Sequence, residues 1–487
     1  MDPVKTSFQI IDTGLAMCID LPTRTVDCYT KIRLRFNSLE SLTAQFNLKQ
    51  AQLVSLKLHS FQLHQPEHNK TDSKSFDKLF RWKYQYLSPN EHIDMTNKVL
   101  RDSAFHSIHD YRELTKGIQQ LEDKGFLGIA LSLNEKEKYL AKMSKRFESG
   151  YRLYCTMDVH TKVSNPQGAV FFHTSSSNEI FIKTSSYHSA RNLFPCLDNL
   201  GCQSYFSQIK ITVNEALKVV CSGTLESKQK KDSKVSWIFS LNKKTHPAYL
   251  GIVVGTFKEM ICQKFARKIY FDDTFKTNNI DTMLSWLKSK EDLLFNLENR
   301  TDIVFIPGIN HVNLLNLNKN QGQNLLMPYY YLDFFCISSE FFLDERHLEF
   351  RAISTAEFIK YKYLSQLIER INIATMDAVW IFIGLAGFFE DLMIAYLFSA
   401  ALQEINFFKK KDLYFEMIRE GFDTSSLASP QFASPDELSA CPTFSLKSNL
   451  IFISIAAHLK LKKETYNRFF KVFDTPCQLT YHYFLKL

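Results

Sequence analysis

Alternating apolar and polar positions dominate the first half of the chain. Ile32, Leu34 and Phe36 alternate with three basic residues, as in a strand with one buried face. Similar short segments precede them, and others recur at roughly ten-residue spacing between residues 151 and 257. These signals predict a β domain over residues 1–258.

One stretch inside this range has a different pattern. Residues 97–149 are highly charged, and Tyr111, Leu114, Ile118 and Leu121 follow helical spacing. We predict a helical or partly ordered insertion in the β domain.

After residue 260 the apolar spacing becomes helical. Periodic segments cover residues 281–297, 347–371, 376–407 and 445–473. A polar loop with two Ser-Pro pairs, at residues 424–442, separates the last two. The chain is therefore predicted to be an α+β protein, with a mainly helical second domain over residues 259–487.

The most apolar segment covers residues 378–402 and has the length of a membrane span. Glu390 and Asp391 lie at its centre, where each carboxylate costs about 2.5–3.5 kcal/mol in a bilayer. A buried core helix is the preferred interpretation.

Composition narrows the class of protein only slightly. The 487 residues carry 59 Lys+Arg and 51 Asp+Glu, a net charge of +8, which permits a nucleic-acid partner without requiring one. The 10 cysteines form no CxxC pair, so reduced thiols in a cytosolic or nuclear chain fit better than a disulfide framework or zinc ribbon. Neither GxxxxGK[ST] nor GxSxG occurs, so nucleotide and α/β-hydrolase chemistry lack motif support.

A short basic run lies between two predicted strands. Lys228, Lys230, Lys231 and Lys234 crowd one turn. A solvated turn is one interpretation, and contact with phosphate groups is the other.

The segment 184–257 carries a more specific series of residues. It contains, in order, Ala190-Arg191, Phe194-Pro195-Cys196, Asp198, and the strand-like SYFSQIKITV, VVCSGTL and AYLGIVVGTF. This series resembles the membrane-alanyl-aminopeptidase (gluzincin) family. The resemblance implies an aminopeptidase-like N-terminal β saddle followed by a mainly helical gluzincin-like domain. In that family a helix with HExxH and a later glutamate hold zinc for hydrolysis.

The zinc ligands are missing from this sequence. The resemblance places Ala356 and Lys360 at the two histidine positions, Glu357 at the general-base position and Ile383 at the third ligand position. The family's substrate-amine strand corresponds to residues 322–327, without its glutamate. This implies a pseudo-catalytic domain with no metal, no cofactor and no catalytic residues. It also implies that residues 380–388 form buried core.

Three segments look more like one branch of the family, subunit 2 of the general transcription factor TFIID. These are residues 165–172 (NPQGAVFF), 194–200 (FPCLDNL) and 380–388 (WIFIGLAGF). The sequence shows no counterpart of the long armadillo-like or HEAT-like region with which that branch usually continues. The resemblance implies a non-enzymatic nuclear subunit in RNA polymerase II transcription initiation. The implied partners are other TFIID subunits (TBP-associated factors and the TATA-binding protein) and, weakly and within the complex, core-promoter DNA. It assigns no DNA-binding residues.

Two alternatives stay open at this point. The chain is compatible with a diverged zinc aminopeptidase that has an unrecognised site. It is also compatible with a metal-free module that binds peptides in the former substrate cleft.

Overall fold

A computed structural model gives the structure of part of the chain. The residues it describes are 8–38, 42–65, 70–71, 80–86, 126–133, 137–166, 170–174, 179–185, 187, 189–261, 268–272, 301–306, 329–338, 358, 360–362, 364–365, 368, 371–373, 375–421, 427, 442–458 and 477–479.

The strands and helices are numbered in chain order. The strands are β1 (Phe8–Asp20), β2 (Thr25–Phe36), β3 (Thr43–Asn47), β4 (Gln52–Gln65), β5 (Lys70–Thr71), β6 (Phe80–Tyr86), β7 (Phe126–Leu133), β8 (Arg152–Ser164), β9 (Val170–Thr174), β10 (Glu179–Lys183), β11 (Ser204–Asn214), β12 (Lys218–Cys221), β13 (Thr224–Lys231), β14 (Lys234–Ser240), β15 (Lys244–Thr245), β16 (Ile252–Gly255), β17 (Lys258–Ile261), β18 (Lys268–Phe271), β19 (Asp302–Ile306), β20 (Tyr329–Tyr331), β21 (Phe334–Ser338), β22 (Ile371–Ile373) and β23 (Cys477–Leu479). The helices are α1 (Glu137–Glu148), α2 (Val379–Leu397), α3 (Ala400–Arg419) and α4 (Pro442–His458).

A nine-stranded sheet forms the first part of the molecule. Its order is β13-β14-β11-β1-β2-β8-β4-β5, with β15 paired to β11. The predicted alternation is confirmed along β2, where Ile32, Leu34 and Phe36 are buried and the basic residues between them lie on the opposite face. A four-stranded sheet, β12-β16-β10-β9, and a three-stranded sheet, β3-β7-β6, complete this part.

A five-stranded sheet, β17-β18-β19-β21-β20, follows directly. The apolar spacing after residue 260 predicts mainly helices, and for these strands that prediction is wrong. The pairs β18–β19 and β19–β21 are parallel, and every residue of Asp302–Ile306 is buried. A strand buried on both faces shows no alternation of apolar and polar residues, so its pattern was missed.

The helical predictions hold at most of the described positions, but Ile371 belongs to strand β22 and the helix predicted over 376–407 is interrupted. The single helix predicted over 376–407 is two helices, because Ser399 is extended and its hydroxyl accepts a hydrogen bond from the Leu402 amide at the start of α3. Helix α4 starts at Pro442. Residues 358, 360–362, 364 and 365 are helical within the predicted 347–371, and residues 281–297 lie outside the described part.

The predicted insertion is only partly described. Residues 137–148 are helical, as predicted, but residues 126–133 form strand β7, so the prediction of helix is wrong there. Residues 97–125 and 134–136 lie outside the described residues. The proposed boundary at residue 258 falls where β17 starts, and it stays a prediction.

Helix α2 contains the apolar segment that mimics a membrane span. The window Val379–Tyr396 is apolar and long enough to cross a bilayer, with mean hydropathy 1.6, and 67% of it is buried within the protein. This burial agrees with the predicted core helix. The observed architecture is α+β, as predicted: the four larger sheets precede α2, and β22 and β23 pair as a small parallel sheet.

Candidate functional site

The positions that the family resemblance assigns to a metal site lie on two helical segments. Lys360 belongs to the helical residues at 358–365, and Ile383 lies in the second turn of α2. Phe358 is fully buried and packs edge-on against Phe335 of the five-stranded sheet, with ring centroids 5.2 Å apart. Ala356, Glu357 and residues 322–327 lie outside the described part of the chain.

Lys360 forms an ion pair with Glu390, a residue of α2. The distance from Lys360 Nζ to Glu390 Oε2 is 2.5 Å, and the two side chains are only 16% and 13% exposed. Burial raises the pKa of Glu390, but the charges of Lys360 and Lys410 outweigh it and hold this pKa below its ordinary value. The Lys360 ammonium is therefore committed to a carboxylate at this position.

A second ion pair continues the network from α2 to α3. Asp391 Oδ1 lies 2.7 Å from Lys410 Nζ and accepts a hydrogen bond from Asn406 Nδ2 at 2.7 Å. Two carboxylates are thus balanced by two ammonium groups. A charged side chain is tolerated in the interior only when an opposite charge compensates it. This pairing therefore explains why Glu390 and Asp391 fit inside an apolar helix.

Residues 380–388 form core, as predicted. Trp380, Phe382 and Phe388 are buried in one cluster, while Ile383 is half-buried and packs against that cluster. The isoleucine side chain at position 383 offers no lone pair to a cation. What this segment provides is apolar packing against α4.

The two glycines of this segment permit a close approach of α2 and α4. A Cβ atom at Gly384 would lie 2.6 Å from the Phe452 ring and 2.8 Å from the Ser448 carbonyl oxygen, and one at Gly387 would lie 2.6 Å from Asn449 Nδ2. The WIFIGLAGF segment is therefore a helix-packing motif.

Gly384→Ala tests this packing. We expect a loss of about 1–3 kcal/mol in the free energy of unfolding, because the Ser448 carbonyl belongs to the backbone of α4 and cannot move aside without shifting the helix. Gly14→Ala is the control, since its added Cβ would make only an ordinary contact, 3.8 Å from Lys31 Cβ. Urea denaturation of both variants gives the measurement, and equal stability of both would contradict the packing role.

The residues that carried the family resemblance meet at a second, fully buried site. Arg191 donates two hydrogen bonds to Asp198, Nε to Oδ2 and Nη2 to Oδ1, each 2.7 Å long. The two side chains are 7% and 0% exposed. Asn47 Nδ2 donates to Asp198 Oδ1 at 2.5 Å, and the backbones of Asn47 and Cys196 exchange hydrogen bonds. The Ala-Arg…Phe-Pro-Cys-x-Asp series thus fastens the 190–198 loop to β3.

His246 and Lys183 lie close to this ion pair. His246 Nε2 lies 3.2 Å from the Asp198 carbonyl oxygen, and His246 Nδ1 accepts from the Ala248 amide, so the ring is placed as a neutral tautomer. Burial lowers the pKa of His246 to about 4. Lys183 Nζ donates to the Ala248 carbonyl oxygen at 2.9 Å, and burial lowers its pKa to about 7, against smaller raising effects of nearby thiols and Asp198.

Lys183 gives the stability of the protein a predictable pH dependence. Its pKa is lower in the folded state, so its destabilising effect is absent above pH 10.5 and grows as the pH falls to about 7. We expect Lys183→Met to gain stability relative to the wild type as the pH falls from 9 to 7, by at most about 1.4 kcal/mol per pH unit.

Urea denaturation between pH 7 and 9 measures this gain. Lys162→Met, at an exposed position of β8, is the control and should show a constant difference from the wild type. A pH-independent difference for Lys183→Met as well would show that Lys183 keeps an ordinary pKa.

The four lysines of the predicted basic turn do not form one group. They lie on the hairpin β13–β14, where every residue of β13 is exposed. Lys228 Nζ lies 3.7 Å from the centroid of the Trp237 ring, and Lys230 pairs with Glu215.

The other two lysines lie at the turn itself. Lys231 and Lys234 are directly opposite in the strand register, and Lys234 Nζ lies 3.8 Å from Cys18 Sγ. Lys228 instead has Lys218, Lys268 and Glu259 as its charged neighbours. No sequence signal indicated these neighbours, because they come from two other sheets.

The comparisons with known proteins agree with the architecture. No protein-family profile and no curated protein matches the chain. Comparison with solved structures shows that the chain has an M1 aminopeptidase-like fold.

Three structures represent this likeness. Yeast LTA4 hydrolase in complex with bestatin has a TM-score of 0.64 at 11% identity, and the native yeast enzyme has 0.64 at 12%. The chain is covered over 99% of its length but spans only 65% of the yeast enzyme. An M1 zinc metallopeptidase from Deinococcus radiodurans has a TM-score of 0.60 at 8% identity, with 99% of this chain and 91% of that one covered.

The described residues at the ligand positions do not fit the zinc ion that this fold implies. Zinc needs imidazole, thiolate or carboxylate donors, whereas Lys360 is held as an ammonium by Glu390, and Ile383 carries only an alkyl group. Within the described ranges, no group of three or more His, Cys, Asp or Glu residues is arranged to hold a metal ion.

Proposed function

We propose that the chain is a non-enzymatic subunit of the general transcription factor TFIID, acting as a scaffold in RNA polymerase II transcription initiation. The observation that carries the loss of catalysis is the Lys360–Glu390 ion pair at a former ligand position. The particular partner complex is supported by the three branch-like segments at 165–172, 194–200 and 380–388.

The chemistry of the ion pair supports a non-enzymatic role. Zinc hydrolases need a Lewis acid that brings the pKa of bound water near 7. A lysine ammonium has no lone pair for a metal, and its charge is already neutralised by Glu390. A scaffold requires only a stable fold and surfaces that bind partner proteins.

Affinity purification of the tagged chain from its own cells, followed by mass spectrometry, tests the proposed complex. We expect TBP-associated factors and the TATA-binding protein among the retained proteins, in a nuclear fraction. Retention of none of them at low salt would contradict the proposal.

A separate measurement tests the loss of catalysis. We expect elemental analysis to find far less than one zinc ion per chain, and we expect no hydrolysis of aminoacyl amides, because Lys360 and Ile383 supply no ligand. One zinc per chain together with chelator-sensitive peptidase activity would contradict this expectation and favour a diverged aminopeptidase with an unrecognised site.

A metal-free peptide-binding module is the second candidate function. An aromatic cluster favours it: Tyr330 lies 6.1 Å from Tyr249, 6.4 Å from Tyr361 and 6.4 Å from Phe382, measured between ring centroids. A variant of the Deinococcus peptidase binds a Tyr-Ser-Ala substrate, so this fold accommodates a peptide. Saturable binding of short peptides without cleavage, and without TFIID partners, would favour this candidate.

A further inference from the structure

Two lysines from different sheets lie close to one glutamate, and a lysine from a third sheet interacts electrostatically with the same glutamate. Lys218 lies on β12 of the four-stranded sheet, Lys228 on β13 of the nine-stranded sheet and Lys268 on β18 of the five-stranded sheet. Glu259, on β17, is the carboxylate between them. We call Lys218, Lys228, Lys268 and Glu259 the three-lysine cluster.

The geometry of the cluster leaves an excess of positive charge. Lys268 Nζ lies 2.7 Å from Glu259 Oε1, and Lys218 Nζ lies 3.7 Å from Glu259 Oε2. The Lys228 ammonium is positioned over the face of Trp237. Three ammonium groups and one carboxylate give 3 − 1 = +2 within one surface site.

The charged groups of the cluster shift the pKa values of Lys228 and Glu259. Burial lowers the pKa of Lys228, Glu259 raises it, and Lys268 and Lys218 lower it further. Burial raises the pKa of Glu259, but the hydrogen bond and charge of Lys268 and the charges of Lys218 and Lys228 outweigh this, so its pKa is lowered. One carboxylate thus interacts with all three lysines and cannot neutralise them, a situation that a further anion would relieve.

The cluster is also open to solvent. The side chains of Lys218 and Lys268 are each 35% exposed, and Lys228 lies on β13, the fully exposed edge strand of its sheet. An anion that reaches the junction of the three sheets therefore meets ammonium groups held in place by an aromatic ring and by Glu259.

We propose that the three-lysine cluster binds two adjacent phosphodiester groups of the duplex DNA backbone. This inference rests on the proposed function for the identity of the anion, and it names the surface at which DNA would be contacted. Lysine ammonium groups act as point charges toward phosphate oxygens and release condensed counterions when they bind. Such contacts position a protein on DNA without reading its sequence. Lys230 pairs with Glu215 instead, and Lys234 Nζ lies 3.8 Å from Cys18 Sγ.

A salt titration of duplex binding by the full chain tests the inference. Each phosphate contact contributes about 0.9 to the slope of log K against log[salt]. For Lys218→Ala, Lys228→Ala and Lys268→Ala combined, we expect the slope to fall by about 2 and the affinity near 0.1 M salt to fall roughly 10- to 100-fold. The control combines Lys230→Ala, Lys231→Ala and Lys234→Ala, which removes the same charge from the hairpin that carries Lys228, and should reduce the slope by less than about 1.

Glu259→Gln tests the same surface with the opposite sign. It removes the only carboxylate of the cluster, so we expect tighter duplex binding and a steeper salt slope. Thermal denaturation of each variant confirms that it is folded. An increase in duplex affinity cannot arise from partial unfolding, because partial unfolding would weaken binding.

Any of three results would overturn the inference. The first is that the wild type shows no duplex binding at 50 mM salt, the second is that the two triple variants lose equal affinity for the duplex, and the third is that Glu259→Gln binds the duplex more weakly than the wild type. Inorganic phosphate, compared with chloride at equal ionic strength, separates the sources of the anion. If phosphate binds the cluster, observed by ³¹P NMR, while the duplex slope is unchanged, the site is specific for free phosphate and the DNA proposal fails. Each of these outcomes leaves the co-purification test of the proposed function unaffected.

Discussion

Asp198→Asn is expected to cost about 3–5 kcal/mol in the free energy of unfolding. The change keeps the shape of the side chain but removes the charge that compensates Arg191, which is 7% exposed. A guanidinium left in the core without its carboxylate carries a desolvation penalty that its remaining hydrogen bonds cannot offset. Asn47, which donates to the same carboxylate, would also lose a charged acceptor.

Asp158→Asn provides the matched control, because Asp158 pairs with His59 on an exposed face of the nine-stranded sheet and is 48% exposed. We expect it to cost less than about 1 kcal/mol. The combined change Arg191→Met and Asp198→Leu should cost less than Asp198→Asn alone, since it leaves no unpaired charge. Urea denaturation measures all three variants. A loss below 1 kcal/mol for Asp198→Asn would show that the loop at 190–198 does not depend on this ion pair.

The same segment shows how far the sequence could predict this structure. The order of Arg191, Cys196 and Asp198 among strand patterns indicated an aminopeptidase-like β domain, and the fold confirms it. The sequence could not predict that Asn47 lies against Asp198, because 151 residues separate them. Local patterns predict which face of an element is buried, whereas contacts between distant segments depend on how the elements pack.

Other misses have equally specific causes. Strand β19 shows no alternation because it is buried on both faces, so its apolar run could not be told from a helix by pattern alone. The break between the end of α2 and the start of α3 depends on Ser399, a single capping residue inside an otherwise continuous periodic segment. For the candidate site, the sequence placed Lys360 at a former ligand position but could not identify Glu390, 30 residues later, as its partner.

A double-mutant cycle at Lys360 and Glu390 is expected to give the second large effect. Glu390→Gln leaves the Lys360 ammonium without its carboxylate in a site where both side chains are less than one-fifth exposed. We expect each single change, Lys360→Met or Glu390→Gln, to cost about 2–4 kcal/mol, and the double change to cost less than their sum by about 1–3 kcal/mol. Lys230 and Glu215 supply the control cycle, because their side chains are 65% and 47% exposed, and we expect a coupling below about 1 kcal/mol.

The pH dependence of Glu390→Gln distinguishes an ion pair from simple packing. The charges of Lys360 and Lys410, acting against burial, lower the folded-state pKa of Glu390 below 4.5, so its stabilising charge is present above pH 4.5 and is lost as the pH falls through the folded-state value. The stability difference between the wild type and Glu390→Gln should therefore narrow below pH 4.5. A constant difference, with no coupling in the cycle, would mean that Lys360 and Glu390 contribute only through their packing. A confirmed coupling would mean that the ion pair between Lys360 and Glu390 helps to hold the described residues of the 358–365 segment against α2.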